Sequence, residues 1–153
     1  MTTSSPFRRH ELAVDEITTA APPERVFAVL SDRNQYQHWV VGTEHTTEGE
    51  GDWPQPGSTL RYTIAGPLKL SNRTVVKAVA APHRLELRAK AGPMPDADIT
   101  LDLIPEAGGT RIRMHERPAN KVVSVLTGPL GHFALSRRNQ EALERLRRLA
   151  ESA

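Results

Sequence analysis

Two side chains have the type and placement to do chemistry. Glu116 ends the run Ile112-Arg113-Met114-His115-Glu116, in which apolar and polar residues alternate. If Ile112 and Met114 face an apolar interior, Glu116 shares their face, and a desolvated carboxyl there can act as a general acid or base. The plainer account puts Glu116 at a cavity rim, hydrated or paired with Arg137. Tyr62 stands between Leu60 and Ile64 in a second alternating run. Its hydroxyl either orients a ligand carbonyl or reaches a partner in the core. Asn72 and Thr74 join that inner face if Arg73 and Lys77 turn to water.

Other chemistries lack their residues. The six histidines, His10, His38, His45, His83, His115 and His132, show no ligand spacing such as H-E-x-x-H, and there is no cysteine. No G-x-S-x-G elbow is present. Gly108-Gly109 reads as a hairpin turn, not a phosphate loop. The sequence therefore predicts no metal and no cofactor. Twenty basic side chains against 18 acidic ones leave a net charge of +2, too balanced to imply a nucleic-acid partner. The N-terminus lacks the apolar stretch of a signal peptide. No apolar run approaches the roughly 20 residues of a membrane span. A cytoplasmic protein is the default expectation.

The elements that must position Glu116 and Tyr62 follow from periodicity. Residues 10–17 read as a strand with Leu12 and Val14 on one face. Pro22-Pro23 opens a helix striped by Val26, Phe27 and Leu30, because a proline loses nothing where the N–H has no partner. Asp32 is placed to cap a second short helix reaching Trp39. Residues 44–50 form an exposed strand or a loop. Residues 51–57 form a turn whose Trp53 either lids a cavity or covers the core edge. Alternating strands are then predicted around residues 60–64, 70–79, 85–90, 99–103 and 111–115, joined as a meander. From about residue 130 to 150 the pattern is helical, with Leu135, Ala142, Leu146 and Leu149 on one face. Leu130 and Phe133 turn toward a cavity, and a break or kink is expected at residues 127–131. The arginines of this helix interleave with Glu141, Glu144 and Glu151 as a solvated face.

At this point the chain resembles a known family. The string A-P-P-E-R-V-F-A-V-L-S-D, followed by Tyr36-x-x-Trp39, is similar to the START-like superfamily, also called SRPBCC. The small bacterial polyketide cyclase/dehydrase branch is the nearest in flavour. Gly57-Ser58-Thr59-Leu60, Ala81-Pro82-His83-Arg84-Leu85 and Gly108-Gly109-Thr110-Arg111-Ile112 match as well. The resemblance spans roughly residues 10–150. It implies an α+β helix-grip fold: a curved antiparallel sheet of about six to seven strands, two short helices after the first strand, and a long C-terminal helix over a cavity. Residues 1–9 would be a flexible tail and 10–153 a single domain.

The resemblance also implies apolar ligands such as lipids, sterols or polyketides, and cyclisation or aromatisation in a minority of members. The expected ligand wall comprises Tyr62, Thr74, Leu87, Leu101, Met114, Glu116, Leu130, Phe133 and Arg137. The leading reading is a protein that holds a small apolar or aromatic molecule. A polyketide cyclase or dehydrase using Glu116 or Tyr62 is the second. A protein-interaction module without ligand is the third. Fold alone does not choose among them.

Overall fold

The structure is a computed structural model. It describes residues 13–47, 49–67, 71–91, 94–118 and 123–152; the side chains of residues 13, 91, 94, 95, 118 and 123–135 lie outside that description. Strand β1 (Ala13–Thr19) leads into helix α1 (Pro23–Leu30), a 3-10 turn (Arg33–Gln35) and the short helix α2 (Tyr36–Trp39). Six strands follow: β2 (Thr43–Thr47), β3 (Thr59–Ile64), β4 (Ser71–Ala80), β5 (Arg84–Ala91), β6 (Met94–Glu106) and β7 (Gly109–Pro118). Helix α3 (Val123–Ser152) closes the chain. The seven strands form one antiparallel sheet in the order β1-β7-β6-β5-β4-β3-β2. This is the helix-grip arrangement expected.

The short helices start and stop where local chemistry dictates. Pro23 stands in the first turn of α1, and Glu24 meets the positive end of its dipole. Ser31 ends the helix by donating its hydroxyl to the Phe27 carbonyl at 2.8 Å. The Asp32 carboxylate accepts from the Asn34 N–H at 2.9 Å and so caps the 3-10 turn before α2. Trp53 donates from Nε1 to the Leu30 carbonyl at 3.0 Å and is buried. It pins the turn after β2 to the end of α1, which makes it a cover for the core edge. The segment expected as strand or loop is the edge strand β2, bonded to β3 alone.

The β6–β7 hairpin turns through Gly108, whose φ of 86° suits glycine. At Gly109 a Cβ would stand 1.9 Å from the Thr19 carbonyl oxygen, so only glycine lets β1 and the hairpin approach this closely.

Two expectations are corrected. Val14 is 46% exposed, and the inner face of β1 is Asp15, Ile17 and Thr19. Pairing sets this phase: Val14 lies opposite His115 and Asp15 opposite Met114, so the apolar side of β7 draws Asp15 inward. Leu12 lies outside the described residues. Helix α3 also runs unbroken through residues 127–131. A proline inside a helix forfeits one hydrogen bond without having to end it. The buried stripe of α3 is Asn139, Ala142, Leu143, Leu146 and Ala150, with Leu149 only partly buried.

Candidate functional site

The inner face of the sheet carries an apolar wall with a small polar cluster at one side. Val76, Leu87, Leu101 and Met114 are all buried, as are Leu60 and Ile112. Register sets them side by side: Val76 opposite Leu87 and Leu101 opposite Met114. The inward phase predicted for Asn72, Thr74 and Val76 is the one observed.

Glu116 lies on this face opposite Ile99 and is 5% exposed. Arg138 Nη2 donates to Oε1 at 3.0 Å and to Oε2 at 3.3 Å. Asn139 Nδ2 donates to Oε2 at 2.9 Å. The expected partner was Arg137; the observed ones are Arg138 and Asn139. Helical geometry explains the difference. Asn139 belongs to the buried stripe, Arg138 flanks it, and Arg137 falls roughly 200° from Asn139 on the exposed side. These bonds to Glu116 clamp β7 to α3.

The tyrosines form the other half of the cluster. Tyr36 projects from α2 into the core, and its hydroxyl lies 2.9 Å from Thr74 Oγ1. Its ring centroid is 5.5 Å from that of Tyr62 and 5.4 Å from that of Trp39, edge to face in the latter pair. Thr74 is fully buried, opposite Leu60, and Tyr62 stands opposite Asn72. The Nδ2 of Asn72 is buried without a hydrogen-bond partner. Burial pushes the Tyr36 phenol well above the ordinary tyrosine range, with Tyr62 adding to the effect and Thr74 opposing it. Burial also raises Tyr62, while Thr74 and Arg138 pull it down and Glu116 pushes it up. Burial therefore favours the neutral form of both phenols.

Sequence reasoning missed Tyr36, Arg138, Asn139 and Asp15. Tyr36 had a cue, since it shares a helical face with Trp39 three residues on. Asp15 had one too, alternating with Ile17 and Thr19. Its Oδ1 accepts from Ser136 Oγ at 2.7 Å and from Gln140 Nε2 at 3.3 Å, while Oδ2 is buried without a partner. Arg137 is exposed. The side chains of Leu130 and Phe133 lie outside the described residues. Among the described residues no group of three or more His, Asp or Glu is placed to hold a metal.

Two concavities lie elsewhere. One of about 530 Å³ is flanked by Asp32, Arg33, Asp52 and Trp53. Its Arg33 is committed to the carbonyls of Glu50, Gly51 and Thr59. The other, of about 470 Å³, lies where β3, β4 and β5 adjoin.

Residues 12–151 match the family model described as polyketide cyclase / dehydrase and lipid transport. Among curated proteins none matches the chain. A crystal structure of a protein from Rhodobacter sphaeroides is similar with a TM-score of 0.75 at 20% identity, covering 97% of this chain and 96% of that one. Protein NE0264 from Nitrosomonas europaea gives 0.71 at 17% identity, covering 95% and 96%. The protein Ara h 8.0201 gives 0.71 at 13% identity, covering 92% and 97%. At such identities the likeness shows the fold alone.

Proposed function

The chain belongs to the polyketide cyclase/dehydrase and lipid transport family, and from that premise we propose that it holds a small apolar or aromatic molecule bearing an oxygen acceptor, without transforming it. The observation that carries this reading is the neutral polar edge of an apolar wall. Tyr62 and the unpartnered Asn72 amide lie directly opposite each other, on the same face of the sheet that buries Leu87, Leu101 and Met114. Apolar side chains supply affinity by excluding water, and a few polar groups set orientation. The bonds from Arg138 and Asn139 give Glu116 a structural role in joining β7 to α3.

The test uses two fluorescent probes, the aromatic ketone prodan and the hydrocarbon diphenylhexatriene, with native mass spectrometry of the purified protein. Saturable binding of both is expected. Tyr62→Phe should weaken the ketone about 2- to 10-fold, the worth of one neutral hydrogen bond, and leave the hydrocarbon unchanged. Absence of saturable binding of either probe would reject the reading. Turnover of a polyketide-like substrate that is lost in Glu116→Gln would replace it with the enzymatic one.

A further inference from the structure

The outer face of the sheet holds a second arrangement. Arg61 on β3 lies directly opposite Arg73 on β4, and Arg73 lies directly opposite Lys90 on β5. Three cations thus stand in one row across three strands. Like charges in direct opposition are destabilising, so a fold does not place them there for stability. Most of the other outward cations of the sheet have a carboxylate. Lys77 and Arg88 meet Asp98, Arg84 meets Glu86 and Asp102, Arg111 meets Glu106, and Arg113 meets Glu16. Among the described residues none lies within ion-pair distance of Arg61, Arg73 or Lys90.

The row lies in a shallow, open depression. The cavity of about 470 Å³ is lined by Arg61, Ser71, Asn72, Arg73, Lys90 and Asp96. Ser71 and Arg73 are two residues apart on β4 and share the outward side, which brings a hydroxyl beside the guanidinium. Asp96 is the lone carboxylate of the lining and bears electrostatically on Arg88.

From this geometry we infer that the outer face carries a binding site for a soluble phosphate-bearing small molecule, held by Arg61, Arg73 and Lys90. Neighbouring strands are about 4.8 Å apart, so the row spans roughly 10 Å, the length of a pyrophosphate group with its contacts. Arginine forks match phosphate oxygens in pairs, and a bound anion turns the mutual repulsion of the row into attraction. A row of this length, with a single carboxylate beside it, matches one discrete pyrophosphate-sized anion. The three cations stand on the face opposite Tyr62 and Thr74, and only Asn72 is common to the two sites.

The probe is inorganic pyrophosphate, titrated calorimetrically into the full chain at low and at physiological salt. One saturable site is expected, weaker at higher salt. Arg73→Gln should lower the affinity about tenfold, since it removes a charge-assisted hydrogen bond at the centre of the row. Asp96→Asn should tighten binding, and Lys77→Gln, outside the cavity, should leave it unchanged. Arg73→Gln should melt at or above the wild-type temperature, because the cation it removes faces like charge on both sides. A loss of binding in that variant is then not a loss of fold. Absence of saturable pyrophosphate binding overturns the inference, as does binding indifferent to Arg73→Gln. Sedimentation with phosphatidylglycerol vesicles in the absence of pyrophosphate binding also overturns it, in favour of a membrane surface.

Discussion

Thr74 shows how much one hydroxyl can carry. It is fully buried and bonds the Tyr36 hydroxyl, so the two side chains satisfy each other where water cannot. Thr74→Val keeps the volume and leaves the phenol unpaired, at an expected cost of about 1–3 kcal/mol. Tyr36→Phe with Thr74→Val removes both partners and should cost less than the sum of the two single changes. Urea unfolding of the four proteins measures this; strictly additive costs would contradict the pairing. The inward placement of Thr74 and Tyr62 was legible, because strand alternation has a period of two and the flanking Arg73 and Lys77 fix its phase. Tyr36 was legible only as part of a helix. Its bond to Thr74 joins residues 38 positions apart, and no local pattern records such a distance.

At the scale of elements, the outer face of β4, β5 and β6 is tied by a shared carboxylate. Asp98 lies 2.9 Å from Arg88 Nε and 3.4 Å from Lys77 Nζ. Its partial burial works upward on its pKa, but the bond from Arg88 and the charges of Lys77 and Arg88 outweigh that and hold it below the ordinary aspartate value. A carboxyl lowered on folding adds stability above its unfolded pKa, and the contribution is lost as pH falls through the folded value. Asp98→Asn should therefore destabilise the protein at pH 7, by about 1 kcal/mol or less given that Arg88 and Lys77 are partly in solvent. The difference from wild type should begin to shrink as the pH falls below the ordinary aspartate value of about 3.9, and vanish only once it passes below the lower folded value, where the wild-type carboxylate is itself protonated. Chemical denaturation at both pH values checks it; a gap that persists in acid would show another cause.

The same scale separates what pattern reading found in α3 from what it missed. Ala142 and Leu146 were expected on the buried face and are found there, whereas Leu143, equally buried, was not. A helix surrounded on one side by β1, α1, α2 and β7 buries a broad stripe. How broad depends on its neighbours. That breadth brings Asn139 and Arg138, not Arg137, to Glu116.

For the whole molecule, the decisive contact joins the two ends of the chain. Strand β1 completes the sheet by pairing along its length with β7, from Ala13 opposite Glu116 to Thr19 opposite Thr110. Thr19 and Ala20 further donate to Glu151 on α3. Closing so long a loop before its contacts form slows folding. Refolding from urea, followed by stopped-flow tryptophan fluorescence, should take milliseconds to seconds. A microsecond phase that recovers the full native signal would show that local contacts dominate.

By itself the sequence determined the class of elements, their order and the inward phase of β3 to β7. Each of these is written in the spacing of neighbours along one strand or one helix turn. Only the tertiary structure decided the phase of β1, the partners of Glu116, the Tyr36–Thr74 bond and the row of cations set opposite one another across β3, β4 and β5. Those depend on which strand lies beside which and in what register. Register is set by burial summed over the whole sheet, and a shift of one residue would turn every side chain to the opposite face.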